Sequence, residues 1–275
     1  MREALWIPSQ QRVKGANVSR FIDFVNQKYR LGLRSYSDLY NWSIEKVSDF
    51  WASIWEFGEI TYSRKYDVVF DDLAKFPGVK WFRGARLNFA QNLLKCRDEK
   101  PALISRAETG NSTITTYAQL YDEVSHLAKP LRRMGITAGD RIAAYMPTIK
   151  ETTISMLAST SLGGVWTACG TELGLGSVLD RLGQVEPKVL FTVDRYVYKG
   201  RSFNVLPAVE KIAGEIPSLE KIVVVSYSTG GSEIRSLPNS VRYGEFASAG
   251  ETSEIRFEQL PADHPVYIMF SSVSQ

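Results

Sequence analysis

Between residues 140 and 227 the chain alternates between short apolar runs and longer amphipathic stretches. The runs are 140–147 (DRIAAYMP), 165–169 (VWTAC), 188–193 (KVLFTV) and 221–227 (KIVVVSY). Between them lie 149–164 (IKETTISMLASTSLGG), 177–186 (SVLDRLGQVE) and 204–216 (NVLPAVEKIAGEI), each spaced as a helix. Few arrangements satisfy such a string. Each crossover helix returns the chain to start the next strand in the same direction, so the expectation is a parallel sheet with helices on its faces. Residues 266–270 (VYIMF) form one more continuous apolar run and predict a central strand buried on both faces.

Upstream of this block, 101–106 (PALISR) and 113–117 (TITTY) predict a strand pair. Thr115 or Thr116 then caps a helix carrying Leu120, Val124, Leu127, Leu131 and Met134, which Gly135 ends. Pro130 lies inside that helix and predicts a kink or a weakened last turn. The first hundred residues have a different texture. Val18, Phe21, Ile22, Val25 and Tyr29 fall at helical spacing, as do Val47, Phe50, Trp51 and Ile54 before Gly58, and 81–94 (WFRGARLNFAQNLL) adds a short helix. Five of the six tryptophans, Trp6, Trp42, Trp51, Trp55 and Trp81, lie here, as expected of a core or docking surface. The chain therefore divides into an aromatic-rich helical N-terminal extension, 1–99, and an α/β part, 100–275, with a polar Gly/Ser loop near 228–240.

Composition excludes several function classes. With 44% hydrophobic and 23% charged residues the chain is expected to be a soluble globular protein. The net charge of +3 is scattered, with no basic tract for nucleic acid. No stretch approaches the roughly 18 apolar residues of a membrane span, and the N-terminus lacks the apolar core of a signal peptide, so a cytosolic protein is expected. Cys96 and Cys169 belong to no CxxC and stand apart from His126 and His264 in sequence, which argues against a disulfide scaffold or zinc site and makes Cys169 a small core residue.

Two glycine patterns bear on nucleotide binding. Gly174 and Gly176 stand between a strand and a helix, but Leu179 occupies the third position of a dinucleotide fingerprint, so a helix-capping turn is predicted. GxxxxGK[ST] occurs nowhere.

The strand at 266–270 with Ser271 and Ser272, taken with 116–124 (TYAQLYDEV), 140–147, 163–191 and 198–204 (YKGRSFN), resembles the adenylate-forming acyl-CoA synthetases. Residues 35–57, 81–94 and 238–246 (PNSVRYGEF) are similar to the acetoacetate-activating members in particular. The resemblance implies a small-molecule ligase that joins acetoacetate to CoA with ATP, releasing AMP and pyrophosphate, with Mg²⁺ in the complete enzyme. It also implies that Ser271 and Ser272 begin a Ser/Thr/Gly-rich loop, SSGTTG followed by lysine, which holds the ATP phosphates through backbone N–H groups and hydroxyls. Here Val273 stands at the loop's first glycine, followed by Ser274 and Gln275.

In related enzymes a stretch matching 198–201 places arginines near the 3′-phosphate of CoA. Arg201 matches one of them, Tyr198 falls at the other, and Lys199 offers a nearby charge. The turn after Trp166 usually reads SPDFG in acetoacetate-activating members and is GTELG here, at 170–174, keeping an acid and the last glycine. By this reading no residue of the chain has a catalytic or metal-ligating role, and the chain is expected to be a truncated, inactive N-terminal part of an acetoacetate–CoA ligase. The alternative is a truncated non-catalytic product acting as a binding or interaction module.

Overall fold

The structure, a computed structural model, describes residues 5–108, 110, 112–227, 234, 237–248 and 254–271. The chain forms two compact units, Met1–Ala85 and Arg86–Gln275.

In the first unit, α1 (Gln10–Gly15), α2 (Asn17–Tyr29), α3 (Tyr36–Glu45) and α4 (Val47–Phe57) precede three short strands, β1 (Tyr62–Arg64), β2 (Val68–Phe70) and β3 (Trp81–Arg83), of which β2 and β3 pair antiparallel. Phe21 and Val25 of α2 pack with Leu39 and Trp42 of α3 in a buried cluster, and Phe57 meets Phe21 edge-on at 5.1 Å. Ser35 caps α3 in a reciprocal box with Asp38, and Gly58 follows α4 as its C-cap. The aromatic spacing read from sequence is thus the core of this unit. Trp81 lies in an extended strand, and the short helix predicted after it is α5 of the second unit.

The second unit opens with β4 (Arg86–Leu87), α5 (Phe89–Leu93) and the antiparallel pair β5 (Pro101–Arg106) and β6 (Ser112–Thr116). Thr116 then caps α6 (Tyr117–Arg133): its hydroxyl accepts from Gln119 N–H, and the Gln119 side chain accepts from Thr116 N–H. The helix runs through Pro130 for another three residues, and Met134 N–H donates to the Pro130 carbonyl at 3.0 Å. There follow β7 (Arg141–Tyr145), α7 (Lys150–Ser161), β8 (Val165–Cys169), α8 (Leu175–Val185), β9 (Val189–Val193), β10 (Arg195–Tyr198), β11 (Arg201–Asn204), α9 (Leu206–Glu215) and β12 (Lys221–Val225). The last elements are β13 (Ser240–Arg242), α10 (Tyr243–Ser248) and β14 (Leu260–Pro261), which pairs antiparallel with β4. As predicted, Gly174 is the N-cap of α8.

Five strands form one parallel sheet in the order β13-β12-β9-β7-β8. All five residues of β9 and four of the five in β7 and β12 are buried, which is what their unbroken apolar sequence requires when helices cover both faces. From β7 the chain crosses to β8 on one side, and from β9 it proceeds to β12 on the other. The carboxyl ends of the adjacent strands β7 and β9 are therefore a topological switch point, where ligands bind in open α/β sheets.

The run at 266–270 departs from the expectation. It lies beside β8 as an outer, parallel segment and not as a central strand. Trp166 N–H donates to the Val266 carbonyl at 2.9 Å and Ile268 N–H donates to the Trp166 carbonyl at 2.9 Å, giving one isolated bridge, Trp166–Tyr267. Val266, Tyr267, Ile268 and Phe270 are half-buried and Met269 is 84% exposed. A continuous apolar run does not distinguish a central strand from a segment covered on one side only.

Candidate functional site

The sheet presents three side-chain groups at or beyond its carboxyl ends. At the switch point, Tyr145 closes β7 and its carbonyl accepts from the buried Thr192 hydroxyl at 2.8 Å. Asp194, 1% exposed, follows β9; its carboxylate accepts from Tyr227 N–H at 2.9 Å, its own N–H donates to the Val225 carbonyl, and its carbonyl accepts from Val205 N–H. One residue thereby ties the ends of β9 and β12 to the start of α9. Arg195 Nε stands 3.9 Å from the same carboxylate. Burial, then the neighbouring Tyr196, Cys169 and Glu172, push the Tyr145 hydroxyl above its ordinary range.

The second group surrounds the end of β8. Cys169 is 1% exposed, as a small core residue at a strand end should be. Burial raises its thiol pKa and outweighs the opposing influence of the Arg181 guanidinium, so this thiol is not primed as a nucleophile. Arg181 also lies 5.7 Å from the Phe270 ring centroid. The turn that follows is closed by Leu173 N–H donating to the Gly170 carbonyl at 3.2 Å, and the Glu172 carboxylate folds back against Gly170, where a Cβ would collide with it. The parallel register Trp166–Tyr267, carried four residues further, brings Ser271 level with Gly170. Ser271 is exposed. Ser272 lies outside the described residues, as do Val273, Ser274 and most of the Gly/Ser loop near 228–240.

The third group is the β10–β11 hairpin, which follows β9 directly. Its register pairs Tyr196 with Phe203 and Tyr198 with Arg201, so these four side chains share one face, and the Tyr196 and Phe203 rings stack at 5.1 Å. The two-residue turn is Lys199-Gly200, with φ of 51° and 71°, the left-handed pair of a type I′ turn. Both Lys199 and Arg201 are exposed. The Lys199 ammonium stands 5.2 Å from the Tyr198 ring centroid, and Gly200 N–H donates to the Glu108 carboxylate at 3.2 Å. Two cations, Lys199 and Arg201, and one anion, Glu108, stand at this turn.

Strand order separates these groups. From β9, which feeds the hairpin, to the segment that delivers Ser271 is three strand spacings, about 14 Å. Arg201 and Lys199 stay together at one turn, and Ser271 stands apart from them across the strand ends. Asp194 and Arg181 were not singled out from the sequence, where each reads as an ordinary charge beside an apolar run.

The AMP-binding enzyme family profile matches residues 89–274, and the profile for the acetyl-coenzyme A synthetase N-terminus matches residues 36–93. This chain belongs to the AMP-binding enzyme family. Among curated relatives, acetoacetyl-CoA synthetase of Macaca fascicularis is 36% identical over 98% of this chain and 41% of its own length. Malonamoyl-CoA synthetase vrtB of Penicillium aethiopicum is 39% identical over 98% of this chain and 39% of its length. The solved acetoacetyl-CoA synthetase from Streptomyces lividans superposes with a TM-score of 0.91 at 33% identity, covering 99% of this chain and 42% of that one. The chain thus has the adenylate-forming fold and spans about two fifths of the length of these relatives. Among the described residues of this family member, no helix is long and apolar enough to cross a membrane.

Proposed function

We propose that this chain provides the phosphate-loop entry and the CoA-facing hairpin of an acetoacetate–CoA ligase, which converts ATP, acetoacetate and CoA to AMP, pyrophosphate and acetoacetyl-CoA. The observation that carries the proposal is its collinear match, over 98% of its length, to acetoacetyl-CoA synthetases. The malonamoyl-CoA relative narrows the substrate class. Acetoacetate and malonamate are both short carboxylates with a second carbonyl on C3, so a β-carbonyl acid is the chemistry the two names share.

In this reading residues 1–99 are the N-terminal extension and 100–275 the first α/β subdomain of the AMP-binding domain. Ser271 and Ser272 open the loop whose hydroxyls and backbone N–H groups hold the nucleotide phosphates, and the exposed position of Ser271 leaves its hydroxyl open to a ligand. Such donors stabilise charge on departing pyrophosphate, at about 2.7–4 kcal/mol per donor in a closed site. Arg201 and Lys199 bind the CoA phosphate as an exposed cation pair, with the Glu108 carboxylate moving aside. Mg²⁺ would lower the charge repulsion of the triphosphate when bound. The described residues contain no group of three acidic, His or Cys side chains arranged to hold a metal, so the ion would enter on the nucleotide's own phosphates. A cytosolic location goes with this reading, since both cysteines are free and Cys96 is exposed, as a reducing compartment permits.

A chimera in which residues 1–272 of this chain replace the matched region of the Streptomyces lividans enzyme, which keeps its own sequence beyond the two loop serines, tests the assignment. Exchange of labelled pyrophosphate into ATP should then depend on acetoacetate, the acid named for the enzyme whose remaining part the chimera keeps. A folded chimera that shows no acetoacetate-dependent exchange removes the competence assigned to these residues.

A further inference from the structure

The segment that delivers Ser271 is held to the sheet by few backbone bonds. Beside β8 it makes two, Trp166 N–H to Val266 and Ile268 N–H to Trp166, and among the described residues no third strand flanks its outer side. A segment with so few ladder bonds has a weakly specified register, and a slip of one residue would displace Ser271 by about 3.3 Å and turn it to the other face.

Tyr267 opposes that slip by packing edge-on to Phe89 at 5.5 Å and donating its hydroxyl to Met156 Sδ at 3.3 Å, and a second side chain opposes it through the backbone of the neighbouring connection. His264 Nε2 lies 2.8 Å from the Gly163 carbonyl, in the connection that enters β8. The acceptor is a carbonyl, so this nitrogen carries the proton. The register Trp166–Tyr267, carried back three residues, pairs Gly163 with His264. The bond therefore joins the two residues that the correct register places side by side. Gly163 is itself fixed: its carbonyl also accepts from Gly139 N–H at 3.0 Å, its φ is +80°, and a Cβ there would lie 3.0 Å from Ala138 and Leu260 atoms. The acceptor end of the latch cannot drift.

We propose that His264 is a positioning residue that locks the register of 264–271 against β8 and so sets where Ser271 stands relative to Gly170. That Ser271 then meets a phosphate rests on the function proposed above; the latch itself does not.

Amide hydrogen exchange on the 275-residue chain tests it. In His264→Ala the Trp166 and Ile268 amides should exchange about five- to tenfold faster, as loss of one local hydrogen bond allows, while β7 and β9 amides keep their rates. His264→Gln, whose side-chain amide can still donate to Gly163, should restore protection at least in part. Unchanged rates at Trp166 and Ile268 in His264→Ala overturn the latch, and so does equal acceleration throughout the sheet. Should His264→Ala fail to fold, the unmutated chain still decides the matter: the His264 imidazole must show an exchange-protected proton on Nε2 in its nitrogen-15 spectrum, and a ring without one ends the proposal. A separate measurement, binding of magnesium-ATP by the chimera with and without Ser271→Ala, reads the phosphate role alone. Its failure leaves the exchange result standing.

Discussion

Asp140 shows how a single charge anchors the amino-terminal edge of the sheet. Its carboxylate accepts from Thr137 N–H at 2.9 Å and the Thr137 hydroxyl at 3.1 Å, and pairs with the Lys188 ammonium at 2.8 Å. Burial works to raise its pKa, but Lys188 and the two Thr137 donors together hold it below the usual carboxylate range. A carboxyl depressed in the folded state contributes stability that is present above its unfolded value near 3.9 and is lost as pH falls through the lower, folded value. Urea midpoints of Asp140→Asn should therefore fall below those of the parent at pH 6 by about 1 kcal/mol, the pair being part-exposed on the lysine side, and the gap should close below about pH 3. A constant gap from pH 6 to pH 2 would show that the loss is packing and not charge. Sequence order hides such residues: Asp140 reads as the first residue of a strand, and the pairing to Lys188 spans 48 positions. Local bonds were legible. The Thr116 box closes within three residues, and Gly174 caps the very next helix. Asn88 was not, because its amide donates to the carbonyls of Thr160, Ser161 and Glu258, up to 170 positions away.

Elements were legible to the extent that their periodicity was unambiguous. The alternation from 140 to 227 gave every strand and helix of the parallel sheet in that range, because burial on both faces demands apolar runs and each crossover demands a helix. The β10–β11 hairpin was missed as a pair. Its four-residue strands are too short for a period, and its turn is Lys-Gly in place of the familiar Asn-Gly. That omission matters, since the hairpin carries the cations read as contacts for CoA. In the chimera, Arg201→Ala should raise the KM for CoA severalfold, on the order of 1 kcal/mol for an exposed phosphate contact, and leave pyrophosphate exchange unchanged. Equal KM values for CoA and dephospho-CoA in the unmutated chimera would show that no 3′-phosphate contact exists. The run at 266–270 failed for a different reason: five apolar residues announce burial without saying on how many sides, and sheet order comes only from tertiary contacts.

At the scale of the whole molecule, the decisive quantity is how much of a relative this chain spans. It matches acetoacetyl-CoA synthetases along almost its full length yet accounts for about 41% of theirs. Fold class followed from the sequence because a parallel sheet is a local pattern repeated; the site did not, because a ligase site draws on residues far apart in the chain. On the function proposed above, the remainder of the ligase site belongs to the part of the relatives downstream of the phosphate loop, which this chain does not span. The 275-residue chain alone should therefore support no acetoacetate-dependent exchange of pyrophosphate into ATP. The loop begins with Ser271 and Ser272 but has Val273 where the family pattern has glycine, and a Cβ there obstructs close approach of backbone donors to phosphate oxygens. Each donor lost from such a site costs about 2.7–4 kcal/mol in the transition state, so loss of two removes most of the acceleration a phosphate loop provides. Proximity cannot compensate, because it requires acid and nucleotide to be held in register. The measurement is exchange by the purified chain with Mg²⁺, set against a blank without acetoacetate. Exchange that persists through further purification and disappears in Ser271→Ala would place the adenylating machinery within these residues and reverse the assignment of chemistry to the downstream part.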